Sequence, residues 1–263
     1  HQKASGLISP VDVHTEKKKT GKIAFDSFIK EAKGDFAPAR PLRLFIPHEL
    51  SSLESALVNL EKKLTAQQAE FRSSKDVIVH CSSRPEFLLG TYKASTRDEA
   101  TAQVERLEKA LASGSWGKGN HTLTRVGIML RAADLMILRR NELAALIIYE
   151  AGKTMTEALA DVDEAIDFIN FYARQEINLQ LGNEKLGNRG VFTVIAPWNF
   201  PLAIPCGMAV APLVAGNAVI LKPAEQTPLI GEELYKLLLE AGVPSDVFAL
   251  VQGDGEVVGA PLV

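Results

Sequence analysis

The stretch that most constrains this chain runs from Val191 to Leu229: VFTVIAPWNFPLAIPCGMAVAPLVAGNAVILKPAEQTPL. Residues 191–196 form a short apolar, β-branched run, long enough for one buried strand. Pro197 and Pro201 then break it, because each proline fixes φ and removes a backbone donor. Residues 202–215 are small and apolar, the composition of a tightly packed helix that ends at Gly216-Asn217. Ala218 to Leu221 reads as a second buried strand, and Lys222-Pro223-Ala224-Glu225 follows it directly. Open α/β sheets bind ligands at the C-terminal ends of their strands. An amide, Asn199, and a Lys/Glu pair, Lys222 and Glu225, stand at two consecutive such ends.

The rest of the chain supplies helices and a third strand. Ser51 or Ser52 is expected to cap a helix reaching about Phe71, with Leu53, Leu57, Leu60 and Leu64 on one stripe. Residues 77–79 and 87–94 read as strands. Thr96-Arg97-Asp98-Glu99 is a capping box opening a helix to about Ala112. Residues 116–119 form a turn, and Val126, Leu130, Ala133 and Ile137 mark a helix within residues 121–140. A further apolar helix, 141–151, stops at Gly152. Thr154-Met155-Thr156-Glu157 is a second capping box, opening a helix to about Asn178, and residues 182–189 read as a loop or hairpin tip. Thr227-Pro228 has the form of an N-cap with proline at the first helical position. That helix ends at Gly242, and residues 247–251 are the third strand. Strands alternating with helices of ten or more residues argue for a parallel sheet with crossovers. The fold class is therefore α/β, a Rossmann-like sheet with preceding helices and too few strands to be complete. Residues 1–47 read as a linker or irregular arm, including the solvated lysine run at residues 17–22, and residues 48–263 as one truncated domain.

Composition excludes several classes. A net charge of −3 with 46% hydrophobic residues gives no footing for nucleic acid. No run approaches the ~20 apolar residues of a membrane span, and no signal pattern is present. Two cysteines, Cys81 and Cys206, make neither a disulfide scaffold nor a cysteine-based zinc site. A reducing, cytoplasmic setting is the default expectation. The histidines, His1, His14, His48, His80 and His121, are scattered without ligand spacing, so no metal is expected.

APWNFPLAI and LKPAEQTPL resemble the aldehyde dehydrogenase superfamily. Further segments narrow the likeness: EAGKT, EAIDFINFYAR, GNRGVFTVIAPWNFPLAI and EAGVPSDVFALVQGDGEVVGAPLV. Over roughly residues 87–263 they resemble the L-glutamate γ-semialdehyde (1-pyrroline-5-carboxylate) dehydrogenase module of bifunctional proline-utilisation proteins.

The resemblance implies NAD as cofactor and a small aldehyde as substrate. It assigns Asn199 as the oxyanion donor, a role worth about 2.7–4 kcal/mol. Lys222 and Glu225 would bind the adenosine ribose, the carboxylate repelling a 2′-phosphate and so favouring NAD over NADP. Ile195, Ala196, Pro197 and the backbone of Trp198 would line the cofactor, the Trp198 ring itself belonging to the core. Gly255 and Glu256 would open a helix beside the adenosine. Residues 253–259 do not make the ordinary dinucleotide fingerprint, because Val258 stands where its last glycine belongs. Phe200 would wall the aldehyde's chain, with a core aromatic as the alternative. Glu150 and Lys153 could shape the substrate entrance, but an i, i+3 ion pair within one helix is expected. Cys206 reads as an inert packing residue. The family's nucleophile and general base are expected beyond Val263, so these residues alone should not turn over. The full-length protein is expected to be a homo-oligomer, with fusion to a proline dehydrogenase module possible. Two alternatives stand beside this reading: a noncatalytic nucleotide-binding or assembly module, and an aldehyde dehydrogenase of other substrate.

Overall fold

The computed structural model describes residues 36–118, 121–181 and 187–263. The lysine run at residues 17–22 and most of the expected loop at 182–189 lie outside them. Helix α1 (Pro47–Ser73) precedes strands β1 (Val77–His80) and β2 (Leu88–Tyr92), then α2 (Arg97–Ser113), α3 (Thr122–Leu138), α4 (Arg140–Ala151) and α5 (Met155–Leu181). The second half runs β3 (Val191–Ile195), α6 (Ala203–Val214), β4 (Ala218–Lys222), α7 (Pro228–Ala241) and β5 (Phe248–Leu250), and closes in short turns at Gly255–Gly259 and Ala260–Leu262.

Strands β3, β4 and β5 form a parallel sheet in that order, with Ile195 opposite Lys222 and Leu221 opposite Leu250. The α/β class and the parallel sheet expected from the strand–helix alternation are present. Helices α2, α6 and α7 pack on this sheet, and α5 packs against α3, α4 and α6. All five residues of β4 are buried, as the middle strand of three requires; each such large aliphatic contributes ~1.5–3 kcal/mol. β3 is not the buried strand its composition suggests. It pairs with β4 alone among the described residues, and Phe192 and Ile195 stay 41% and 42% exposed along its open edge.

Strands β1 and β2 make a separate antiparallel hairpin. It packs with α1 around Leu64, Val79, Cys81, Leu89 and Tyr92. The Gln68 amide seals the β2 edge, its Nε2 donating to the Leu88 carbonyl at 2.7 Å while its Oε1 accepts the Leu88 N–H at 3.1 Å.

Both capping boxes form. Thr96 Oγ1 accepts the Glu99 N–H and Glu99 accepts the Thr96 N–H; Thr154 and Glu157 exchange the same pair. Gly152 ends α4 at φ 71°, and Gly242 ends α7 at φ 115°, a left-handed turn only glycine adopts cheaply. Three further expectations are corrected. Helix α1 begins at Pro47, and the Ser51 and Ser52 hydroxyls sit inside it, donating back to the His48 carbonyl. Proline at the first helical position was the overriding start signal. In α3 the buried stripe is Val126, Met129, Ala133 and Met136, and Ile137 is 52% exposed. Thr227 holds the N-cap position of α7 but makes no side-chain cap.

Candidate active site

The parallel register brings the expected site residues to one end of the sheet. Ile195 lies opposite Lys222 where β3 and β4 finish, and the Ala196 N–H donates to the Lys222 carbonyl at 3.0 Å. On the other side of β4 the Val251 N–H donates to the Leu221 carbonyl at 2.9 Å, so the turn after β5 emerges beside Lys222. Three loops therefore leave the sheet together: residues 196–202, 222–227 and 251–255.

The first loop carries Asn199. Ala196 is buried and Pro197 half-buried, while Trp198, Asn199 and Phe200 are exposed. The Asn199 side chain makes no hydrogen bond to any described residue, so its amide is available to a ligand. Trp198 is 57% exposed, which overturns its expected place in the core. The nearby prolines and the edge position of β3 leave its ring no element to pack under among the described residues. Phe200 is 39% exposed, with the Lys153 ammonium 4.1 Å from its ring centroid.

The second loop carries the Lys/Glu pair. Lys222 is 2% exposed, yet its ammonium donates to Glu225 Oε2 and to the Pro223 carbonyl, both at 3.2 Å. Two of its three N–H donors are thereby used. Glu225 is exposed, and its own backbone N–H, followed by the Lys222 ammonium, holds its carboxyl below the usual range. A buried ammonium beside a solvent-facing carboxylate is not an ordinary surface ion pair. Among the described residues they leave one N–H donor and several acceptor lone pairs unused.

The third loop places Gly255 and Glu256 at a single helical turn, where Asp254 accepts the Glu256 N–H at 2.8 Å. A Cβ on Gly255 would meet nothing within 4 Å, whereas one on Gly259 would lie 3.8 Å from the Lys222 methylenes. The turn is therefore packed on Lys222 with open space beside Gly255. In Tyr92, from β2, burial, then the charges of Glu225 and Asp254, push the phenol up. Nothing in the local pattern of β2 marks it.

Glu150 and Lys153 do not pair. Gly152 ends the helix between them, so the geometry of an i, i+3 pair is lost. Glu150, 3% exposed, instead accepts the Leu229 and Ile230 N–H groups at 2.7 and 2.9 Å, capping α7. Lys153 donates to Asp161 Oδ2 at 2.7 Å. Asp161 was not singled out from the sequence. The signal was there, since it shares the apolar face of α5 with Ala158, Val162 and Ala165, and a carboxylate in such a stripe needs a partner. Cys206 is fully buried, and burial, then the Asp161 charge, pushes its thiol far up, away from thiolate chemistry.

A family model described as "Aldehyde dehydrogenase family" matches residues 71–263. The chain is 39% identical over 219 residues to the bifunctional protein PutA of Escherichia coli K12, covering 82% of this chain and 16% of that protein. It is 37% identical over 229 residues to 1-pyrroline-5-carboxylate dehydrogenase 1 of Halalkalibacterium halodurans, covering 81% of this chain and 44% of that protein. Among solved structures, a 1-pyrroline-5-carboxylate dehydrogenase from Thermus with bound NAD superposes with a TM-score of 0.76 at 31% identity. That match covers 87% of this chain and 47% of the Thermus chain. The chain thus spans under half the length of these relatives. The family match over residues 71–263, with its three loops gathered at one sheet end, shows that the chain belongs to the aldehyde dehydrogenase family.

Proposed function

We propose that residues 1–263 are the oxyanion-donating and adenosine-binding part of a longer NAD-dependent dehydrogenase that oxidises L-glutamate γ-semialdehyde to L-glutamate in proline catabolism. The observation that carries this reading is the placement of the Asn199 amide, which has no hydrogen-bond partner among the described residues, and the Lys222–Glu225 pair on adjacent loops, joined by the Ala196–Lys222 hydrogen bond. The relatives' names support the substrate, and the Thermus structure's bound NAD supports the cofactor. The bifunctional relative supports fusion to a proline dehydrogenase module.

The residues present fit NAD. Among the described residues Lys222 leaves one donor unused, Glu225 offers acceptors to two ribose hydroxyls, and the space beside Gly255 admits close approach. When bound, NAD supplies the hydride acceptor. The chain's own work is electrostatic: a thiolate supplied by the remainder of the enzyme adds to the aldehyde carbon, and the Asn199 amide N–H donates to the oxygen as it becomes negative. Release of hydride from that carbon leaves a thioester, which water cleaves to the acid and the thiol. Exposed Phe200, walling the site, holds the aldehyde's methylenes. Cys206 takes no part.

The test is formation of reduced nicotinamide from semialdehyde by the full-length protein, beside residues 1–263 alone. The full-length protein should turn over with NAD, and the shorter chain should not. Turnover by residues 1–263, or inactivity of the full-length protein with semialdehyde and NAD, would overturn the reading.

A further inference from the structure

We infer that Asp161 and Lys153 form a two-point clamp that aims the Asn199 amide, which makes Asp161 a positioning residue for the oxidation. The inference rests on the role given to Asn199 above. Helix α6 starts at Ala203, and its N-cap residue, Leu202, supplies no side-chain cap. Asp161 Oδ1 takes that place from α5, accepting the Ala203 N–H at 2.7 Å. Its Oδ2 accepts from the Lys153 ammonium at 2.7 Å, and that ammonium lies 4.1 Å from the Phe200 ring centroid. One carboxylate therefore reaches the segment downstream of Asn199 at two points: directly at the fourth residue after Asn199, and through Lys153 at the first.

The loop's upstream end is held separately, by the Ala196 N–H on the Lys222 carbonyl. Between these fastenings the Asn199 side chain has no hydrogen-bond partner among the described residues, so the backbone on either side sets its direction. The Asp161 side chain is fully buried and that of Lys153 is 14% exposed. Stability alone is a poor account of such a pair, because the desolvation of buried charges commonly offsets their attraction. An apolar residue would suit the face of α5 better, but it could neither accept the Ala203 N–H nor hold a cation on Phe200. Geometric error of about 1 Å at a reacting group can cost ~10²-fold in rate. A clamp at this position acts on that term.

The experiment is a double-mutant cycle in the full-length protein, reading single-turnover hydride transfer, with folding checked by circular dichroism. Asn199→Ala should slow the step by ~10²–10³, and Asp161→Ala by ~10²-fold. If Asp161 acts through Asn199, the double variant should be no slower than Asn199→Ala alone, because residues working as a unit are not additive. Multiplying losses, or an unchanged rate in Asp161→Ala, would overturn the clamp. Should Asp161→Ala fail to fold, Lys153→Met carries the same cycle, since it leaves the Asp161–Ala203 bond intact. There, ~10-fold slowing absent from the Asn199→Ala background, and restored by Lys153→Arg, is expected; slowing that persists in that background would overturn the clamp. A full rate in Asn199→Ala itself would instead remove the role of Asn199, a different failure from additivity.

Discussion

The carboxyl group of Glu150 accepts the Ile230 N–H at 2.9 Å, across 80 residues of sequence, and so supplies the cap that α7 lacks from Thr227. Its second oxygen takes the neighbouring Leu229 N–H. This bond fixes the start of the helix that follows the Lys222–Glu225 loop. Burial pushes the Glu150 carboxyl up to about 8, against the two N–H groups that favour its ionised form.

That shift has a definite sign. Between its ordinary value of 4.5 and about 8, the folded chain holds a proton that the unfolded chain has released. The stabilising contribution is complete below about pH 4.5 and is lost as pH rises through about 8. Urea unfolding from about pH 5 to 8 should show a downward slope of up to about 1.4 kcal/mol per pH unit from this group. Glu150→Gln should remove that component. Equal slopes in the two proteins would show that Glu150 does not titrate in this window.

Gly231 lies against the other side of the same loop. A Cβ there would fall 2.4 Å from Pro223 Cβ and 2.7 Å from its Cγ, inside any tolerable contact. Gly231→Ala should therefore destabilise the protein by ~1–3 kcal/mol. It should also weaken NAD binding, because Pro223 stands between Lys222 and the turn to Glu225. Thermal unfolding and cofactor titration of the full-length protein check this, and an unshifted Tm would contradict the close packing.

Glu225 is expected to discriminate between cofactors. Its exposed carboxylate, held ionised by its own N–H and Lys222, suits two ribose hydroxyls and repels a 2′-phosphate. Glu225→Gln should loosen NAD and narrow the preference over NADP, as read by titrating both into the full-length protein. Tighter binding of NADP than NAD by the unsubstituted protein would sink the assignment.

Cys206 should be chemically silent. Its thiol is fully buried and bonded to the Ala165 carbonyl at 3.7 Å. A thiol-reactive dye should label it only on unfolding, and Cys206→Ser in the full-length protein should leave turnover within about twofold; a change of one pKa unit's worth, ~10-fold, would implicate it. Rapid labelling of Cys206 in the native protein would refute the assignment.

Local chemistry made much of this molecule readable from its sequence. Thr96 with Glu99, and Thr154 with Glu157, lie three residues apart, the spacing at which side chain and backbone reach each other within one turn. Gly152 and Gly242 stop their helices because they alone enter the left-handed region at little cost. Asn199, Lys222 and Glu225 were legible as strand-end residues, since strand length and breakers are written in consecutive positions.

Tertiary structure decided what those residues touch. Glu150 and Asp161 look like helix carboxylates in need of nearby cations, yet their backbone partners lie 79, 80 and 42 residues away. Trp198 looked apolar enough to be core and is exposed, because no element covers the open side of β3 among the described residues. Sequence spacing reports contacts within a turn or a strand. Which N–H a buried carboxylate meets depends on how whole helices are stacked, and that is set by packing the apolar faces of α4, α5, α6 and α7 together.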